Sequence, residues 1–303
     1  MKKLLLFLGA AALVVAGDSS RYREDFHYSY PQTAGGRLTL ENFNGSVEIT
    51  GWDQNTVDVS GAKYAESESL LHSMRIEVSS SGSTVRVKTT HPEIQHGNMG
   101  AKYVIRVPRQ TELEDVTSSN GSIRVEDIQG NARLATSNGS VHLAKIQGSV
   151  DAHSSNGSVE VQDVKGDVNF RTSNGSVHAD VVEGAFEAET SNGGIRAHLH
   201  NPAPGRAIRL ETSNGNIDLE VDSPLQNDVI ASTSNGPITV RVPAGTSANL
   251  HASTNSNGSV RTDFDVLMRG GEISKHRIEG SINGGGARID LTTSNGNINL
   301  LKM

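Results

Sequence analysis

The stretch that decides the fold is Thr136-Ser137-Asn138-Gly139-Ser140-Val141, which returns 36 residues later as Thr172-Ser173-Asn174-Gly175-Ser176-Val177. Its centre, Ser-Asn-Gly, occurs nine times, at intervals of 18 residues for the first five copies and then of 22, 21, 22 and 38. A fixed period of about 20 residues is typical of a supersecondary unit stacked on copies of itself. We expect the repeated residues to form structural corners: Asn120, Gly121, Asn138, Gly139, Asn156, Gly157, Asn174, Gly175, Asn192, Gly193, Asn214, Gly215, Asn235, Gly236, Asn257, Gly258, Asn295 and Gly296.

Each repeat contains two short segments in which apolar and polar residues alternate. This period of two, together with a high β-branched content, predicts two strands per repeat. A bend near a second glycine separates the strands, and another bend lies at Ser-Asn-Gly. In the repeat after Asn138 the residues predicted to face inward are Val141, Leu143, Ile146, Val150, Ala152 and Ser154.

Two arrangements of these strands compete. Asn-Gly is the strongest short hairpin signal, so an antiparallel meander is one possibility. A parallel β-solenoid is the preferred one, because equivalent residues of successive coils then lie one above another, about 4.8 Å apart, and identical residues can stack. The asparagines would form an amide ladder. An inward hydroxyl column would run beside it through Thr136, Ser154, Thr172, Thr190, Thr212 and Thr233.

The corner glycines carry a conformational prediction. Gly adopts positive φ without strain, and a sharp corner commonly needs it. We therefore expect positive φ at glycines such as Gly157 and Gly175, where substitution by valine should destabilise the protein.

The less regular parts of the chain complete an all-β architecture. A single helical turn is expected near Glu66 to His72, and a loop is inserted after His200. The predicted divisions are a signal peptide (1–17), a loosely held segment (18–34) and a solenoid domain (35–303). Within that domain we expect an irregular part (35–116), regular coils (117–263), and an insertion with a final coil (264–303).

The N-terminus has the pattern of a secretory leader. Lys2 and Lys3 precede an apolar stretch from Leu4 to Ala16, which is too short for a comfortable membrane span. Cleavage before Gly17 or Asp18 would release an exported chain; an uncleaved anchor is the alternative. The chain has no cysteine, which excludes a disulfide framework and a lipid-modified N-terminal cysteine.

Charge narrows the range of partners. Removing the leader takes the formal net charge from −7 to −9. An acidic surface does not attract nucleic acid or an anionic membrane, so neither is expected as a partner. No later segment is apolar enough to cross a bilayer, so no stable membrane insertion is expected after cleavage.

The repeat strings resemble a known family. Thr136 to Val141, Thr172 to Val177, the Gly284-Gly285-Gly286-Ala287 string leading to Thr293 through Ile298, and Val107-Pro108 are similar to the bacterial putative-adhesin family DUF4097. The resemblance covers residues 36 to 302. It implies a β-helical repeat fold and an exported protein, and it brings no catalytic motif.

Catalysis on a solenoid would require clustered acids or bases on adjacent coils. Three predicted outward columns alternate in charge, and none of them places two carboxylates on consecutive coils. We therefore expect no enzyme activity, no catalytic residues and no cofactor. The columns are Arg124, His142, Glu160, His178, Arg196, Asp218; Glu126, Ala144, Gln162, Asp180, His198, Glu220; and Arg133, Asp151, Asn169, Glu187, Arg209.

Two weaker site candidates remain. His198 and His200, beside the inserted loop, are the best metal ligands available, although no metal site is expected; His142 and His178 lie two coils apart, too far for one ion. The only tryptophan, Trp52, could stack on a sugar with nearby tyrosines (Tyr28, Tyr30 and Tyr64), or it could cap the open end of the core.

The sequence thus favours a non-catalytic, adhesin-like module of the periplasm, the cell surface or the secreted fraction. Its long ridged faces would bind an unknown glycan or envelope protein. The alternatives are a polysaccharide-active enzyme on a β-helix scaffold, in which Asp163 and Asp180 would be tested first, and a structural or signalling partner within the envelope.

Overall fold

A computed structural model describes residues 22–91, 97–255, 257–268 and 274–303. The predicted signal peptide lies outside the described residues. The chain divides into two compact units, Met1–Gly139 and Ser140–Met303, which are taken in turn.

The described residues of the first unit form ten strands and one short helix. The helix begins after Ser67, whose side chain accepts a hydrogen bond from the Leu70 amide, so the predicted helical turn is confirmed. The elements are β1 (Tyr22–Pro31), β2 (Gly36–Asn44), β3 (Val47–Trp52), β4 (Thr56–Ala65), α1 (Glu68–Ser73), β5 (Arg75–Ser81), β6 (Thr84–Thr90), β7 (Met99–Pro108), β8 (Thr111–Asn120), β9 (Ile123–Ile128) and β10 (Ala132–Thr136).

Spatial order in this unit differs from chain order. One sheet runs β1-β4-β7-β3-β9 and the other runs β5-β6-β2-β8-β10. β3 lies between β7 and β9 and is parallel to both, and β2 lies in the same way between β6 and β8. Antiparallel strands cover the ends, because β4 pairs with β7, β1 with β4, and β5 with β6. The first coil is thus enclosed by later ones.

The segment predicted to be loosely held is instead mostly strand. β1 pairs along its whole length with β4, from Tyr22 opposite Ala65 to Pro31 opposite Thr56. Its side chains alternate between half-buried and exposed. The half-buried row carries aromatic rings, and burying them against the end of the core stabilises the strand. The prediction for residues 22–31 was therefore wrong.

In the second unit seventeen strands lie within the part of the chain that the structure describes. They are β11 (Val141–Gln147), β12 (Val150–Ser154), β13 (Val159–Lys165), β14 (Val168–Thr172), β15 (Val177–Glu183), β16 (Phe186–Thr190), β17 (Ile195–Leu199), β18 (Ile208–Thr212), β19 (Ile217–Val221), β20 (Val229–Asn235), β21 (Ile238–Val242), β22 (Ala248–Ser253), β23 (Val260–Thr262), β24 (Val266–Met268), β25 (Arg277–Ile282), β26 (Ala287–Asn295) and β27 (Ile298–Lys302).

These strands form two long sheets of mostly parallel pairs. Odd-numbered strands build one sheet and even-numbered strands the other, except that β25 lies in the sheet of even-numbered strands. Equivalent residues face each other: Val159 opposite Val177, and Val168 opposite Phe186. Inward side chains fill a narrow core, in which Phe170 and Phe186 meet edge to face at 6.1 Å. The prediction of an all-β parallel solenoid is confirmed, and the meander is excluded here.

The coils of the C-terminal end do not follow chain order. The sheets run β19-β21-β27-β23 and β18-β20-β26-β22, so the final coil lies between two earlier ones. β24 and β25 form an antiparallel pair, and β25 adds to the edge of β22. This pair lies in the predicted insertion and covers the edge of one sheet. The unpaired backbone groups of an exposed edge strand would otherwise be open to pairing with another molecule.

Candidate functional site

The asparagine corners form an exposed amide ladder. In the second unit five of these side-chain nitrogens donate to the asparagine side-chain oxygen of a neighbouring coil, at 2.8 or 2.9 Å, and Asn257 does not join them. In the first unit Asn138 donates to Asn120 at 2.7 Å. The ladder in the second unit runs through Asn156, Asn174, Asn192, Asn214, Asn235 and Asn295.

A column of buried threonines runs beside the ladder. Each hydroxyl donates to the carbonyl oxygen of the corner glycine one coil away, as Thr190 does to Gly175 at 2.8 Å and Thr212 to Gly193 at 2.9 Å. Thr136, Thr172, Thr233 and Thr293 make the same bond. The hydroxyl column is confirmed, and its partner is the backbone of the adjacent coil.

The reason for glycine at these corners differs from the prediction. None of the corner glycines from Gly175 to Gly236 has φ in the left-handed region. A Cβ atom on Gly175 would instead overlap the carbonyl group of Gly157 and lie 2.8 Å from the Ser158 nitrogen. Close backbone approach therefore selects glycine here. Positive φ occurs at the other bend, at Gly148, Gly166 and Gly184.

The outward columns have the predicted register in the second unit. His142, Glu160, His178, Arg196 and Asp218 follow one another across the sheet. His142 lies 3.0 Å from Glu160, so neighbours of unlike character pair along the column. Such pairs prevent repulsion between like charges on adjacent strands.

One column was missed by the sequence analysis. Glu189 lies directly opposite Glu211, so two carboxylates do occupy consecutive coils. The expectation that no such pair exists was drawn from three columns and is wrong for this fourth one. Arg171 on the preceding coil reaches Glu189 at 3.6 Å. The predicted register alone would have placed these residues side by side.

The two histidines beside the inserted loop meet aspartates from neighbouring coils. His198 Nδ1 lies 3.1 Å from Asp180 Oδ1, and His198 Nε2 lies 3.2 Å from Asp222 Oδ2. His200 Nδ1 lies 2.9 Å from Asp222 Oδ1. The sequence placed Asp180 and His198 in one column, but not Asp222, which follows the end of β19.

This arrangement changes the acidity of His198. Partial burial alone would lower the pKa of its imidazole, because desolvation disfavours the charged form. Hydrogen bonds to Asp180 and Asp222, with the negative charges of Asp222 and Glu220, outweigh that effect and raise the pKa. The folded protein therefore favours the protonated imidazole, in which both ring nitrogens donate, more than water does.

In the described part of the chain, no three His, Asp or Glu side chains converge as ligands of one ion. The same residues contain no helix with the length and apolar character needed to span a membrane.

Trp52 is the last residue of β3, and one face of its ring is covered by the side chain of Arg106. Arg106 lies over the ring at 4.4 Å, and the indole nitrogen donates to the Thr56 carbonyl at 2.8 Å. Tyr64 likewise has Lys102 above its ring at 5.7 Å. These cation–π contacts stabilise the rings within the protein.

A charged cluster follows β3. Arg109 Nε donates to Asp53 at 2.8 Å and Arg109 Nη1 lies 3.4 Å from Asp127. The hydrogen bond and charge of Arg109 lower the pKa of Asp53, and Asp53 in turn raises the pKa of Arg109. Both groups therefore remain charged at neutral pH.

The N-terminal tyrosines close the end of the first unit. The Tyr30 hydroxyl donates to the Val78 carbonyl at 3.0 Å and the Tyr28 hydroxyl to the Ile76 carbonyl at 3.5 Å. Burial raises the pKa of Tyr28, and it raises that of the fully buried Tyr103 to about 12. Tyr28 and Tyr30 thus join β1 to β5, which favours the capping role over sugar stacking.

Each unit is a two-sheet β-solenoid whose corners are tied by stacked amides, hydroxyls and closely packed glycines. The sequence matches the Toastrack DUF4097 family model over residues 36–301, and the chain belongs to this family. No curated protein matches the sequence.

Two solved structures are similar to this chain. A putative cell adhesion protein from Clostridium sporogenes is 11% identical, with 92% of this chain and 100% of the other covered, at a TM-score of 0.23. A putative adhesin from Bacteroides fragilis is 12% identical, with 92% of this chain and 97% of the other covered, at a TM-score of 0.35.

Proposed function

We propose that this protein is an exported, non-catalytic module that binds an extended partner, a glycan or an envelope protein, along one outward sheet face. The observation that supports it most directly is the fixed register of the outward columns. His142 through Asp218 present unlike polar groups at every strand spacing of about 4.8 Å. A polymer with regularly spaced polar groups can contact many such positions at once.

Export rests on the leader pattern at Lys2, Lys3 and the apolar stretch that follows. A fusion of residues 1–17 to a reporter that is active only after export tests this part. Reporter activity supports export, and an inactive, uncleaved fusion contradicts it. The acidic net charge of −7 supports a partner other than nucleic acid.

The binding face can be located with two charge reversals. Arg196 lies outward on β17 in one sheet and Arg209 lies outward on β18 in the other. The mature protein would be screened against a glycan array and against solubilised envelope proteins. A ligand that spans one face should be lost in Arg196→Glu or in Arg209→Glu, but not in both.

Failure of both screens with folded protein would contradict the proposal. Retention of an envelope protein without any glycan would instead favour the structural or signalling role. Equal binding by wild type and both variants would show that neither sheet face is the binding surface.

A second candidate function is hydrolysis of a polysaccharide, because Glu189 and Glu211 are strand neighbours. Strand spacing places neighbouring carboxylates about 5 Å apart, the separation found in retaining glycosidases. A reducing-end assay on acidic polysaccharides tests it with Glu189→Gln and Glu211→Gln, and with Asp163→Asn and Asp180→Asn. Turnover that disappears in the glutamine variants would favour the enzyme; no turnover by wild type would end this candidate.

A further inference from the structure

The Asn-Gly dipeptide is chemically labile as well as structurally useful. Its backbone nitrogen can attack the asparagine side-chain carbon, and glycine offers no side chain to obstruct the approach. Asparagine is accordingly among the thermolabile residues of proteins. Eleven Asn-Gly dipeptides occur in this chain, at Asn44, Asn120, Asn138, Asn156, Asn174, Asn192, Asn214, Asn235, Asn257, Asn283 and Asn295.

Ten of the eleven asparagine side chains are held by hydrogen bonds to other parts of the fold. Eight belong to the amide ladders of the two units. Asn44 donates to the Met99 carbonyl at 2.7 Å and Asn283 to the Thr246 carbonyl at 2.9 Å. Rotating any of these amides towards the next backbone nitrogen breaks at least one such bond.

Asn257 is the exception. It is exposed, and no hydrogen bond joins its side chain to any residue that the structure describes. The following Gly258 nitrogen donates to the Asn255 carbonyl at 3.0 Å, within the same short turn. Such a local bond opens more readily than a contact between coils.

The sequence explains why Asn257 leaves the ladder. In the regular corners, threonine precedes asparagine by two residues, as Thr293 precedes Asn295. Here Thr254 precedes Asn257 by three. Thr254 still donates to the Gly296 carbonyl at 2.8 Å, so the threonine hydrogen bond of the corner is kept although the spacing to the asparagine differs.

We propose that Asn257 is the site at which the native protein undergoes spontaneous deamidation. The Gly258 nitrogen bonds to the Asn257 Cγ atom, the Cγ–Nδ2 bond breaks, and the amide leaves as ammonia with the proton from the Gly258 nitrogen. Water then opens the cyclic imide at either carbonyl. The products are aspartate and isoaspartate, and no redox partner or enzyme is required.

The modification would alter a tightly packed turn. A Cβ atom on Gly258 would overlap the Gly296 carbonyl oxygen. The Gly258 carbonyl oxygen also lies 2.8 Å from His276 Nδ1, within hydrogen-bonding distance. Isoaspartate places an extra carbon in the backbone beside Gly258, and both products add a negative charge. Deamidation should therefore loosen β23 and the contact between Val260 and Lys275.

The test is a time course of the purified full-length mature protein in mildly alkaline buffer. Each Asn-Gly peptide is analysed by mass spectrometry, with isotopically heavy water to mark the hydrolysis step. We expect Asn257 to convert about tenfold faster than interior ladder asparagines such as Asn192, because leaving the ladder there breaks two hydrogen bonds. In denaturant all eleven sites should convert at similar rates.

Two variants provide controls. Asn257→Gln should abolish the fast conversion, since its longer side chain closes the corresponding ring much less readily. Asn192→Ala removes the acceptor of Asn214 and the donor to Asn174, and so should accelerate conversion at these two neighbours and not at the distant Asn295. The proposal would be overturned if Asn257 converted no faster than the ladder asparagines in the native protein. It would also be overturned if Asn257 converted faster than the other sites by the same factor in denaturant.

Discussion

Substitution of a corner glycine tests whether the coils stack so closely that no side chain fits between them. In Gly175→Ala the new methyl group would overlap the Gly157 carbonyl and lie 2.8 Å from the Ser158 nitrogen. These are backbone atoms, so no side chain can rotate away. The same contact recurs on the other side, where Gly193 approaches the Gly175 carbonyl. Movement of one coil therefore disturbs its neighbours.

The loss of unfolding free energy in Gly175→Ala follows from these contacts. Overpacking a filled interior costs about 1–3 kcal/mol. Separating the coils also weakens the bond from Thr190 to Gly175, worth about 1 kcal/mol. We therefore expect Gly175→Ala to lose roughly 2–4 kcal/mol of unfolding free energy. Valine at Gly157 or Gly175 should be worse.

Gly245→Ala is the matched control, because a Cβ atom at Gly245 has nothing within 4 Å and its φ is not in the left-handed region. The assay is urea unfolding followed by far-ultraviolet circular dichroism, with the midpoint compared at constant slope. Gly245→Ala should unfold like the wild type. A Gly175→Ala variant as stable as Gly245→Ala would refute the close-packing explanation.

Three further predictions concern the columns. His198→Gln should remove part of the pH dependence of the free energy of unfolding. Because the pKa of His198 is raised in the folded protein, its contribution to that free energy is fully present below the ordinary pKa of about 6.5. The contribution is lost as the pH rises through the raised pKa. Urea midpoints of wild type and His198→Gln should therefore differ at low pH and converge at high pH, with His178→Gln as the control; parallel curves would contradict this. Asn192→Ala removes hydrogen bonds to Asn174 and from Asn214, and should cost about 1–2 kcal/mol in urea unfolding, whereas a neutral result would show that the exposed ladder contributes nothing. Thr190→Val keeps the shape of the side chain but removes its bond to Gly175, so hydrogen exchange should accelerate around that corner and not at the distant Thr293; unchanged exchange at Gly175 would argue against the hydroxyl column.

Much of the solenoid could be predicted because the repeat is almost exact. Identical spacing between Asn156, Asn174 and Asn192 fixes the register of the parallel strands, and alternation identifies the inward residues. Stacking then brings like residues together, which is why the ladder and the threonine column were predictable.

The ends were not predictable in the same way. Periodicity shows that coils stack, but not in which order, so the position of β26 and β27 between earlier coils left no trace in the spacing. The strand at Tyr22–Pro31 did leave a signal, since aromatic residues alternate with polar ones. It was missed because the charged residues between them suggested a solvated segment.

The candidate sites were likewise predictable from the sequence only in part. The register predicts His198 beside Asp180, but Asp222 lies past the end of a strand and reaches His198 through a bend. Conformation at the corners was inferred from residue type, and residue type alone does not distinguish positive φ from close approach. Only the structure shows that Gly175 is selected by its neighbour in the next coil.

Parallel stacking of equivalent residues is tested most directly by cysteine crosslinking, because the chain contains no native cysteine. Glu160 and His178 are exposed register partners on adjacent strands. Their spacing of about 5 Å suits a disulfide. The pair Glu160→Cys with His178→Cys should oxidise rapidly and nearly completely, and Glu160→Cys with Asp180→Cys, two residues out of register, should not. Equal crosslinking of the two pairs, or faster crosslinking of the second, would contradict the solenoid.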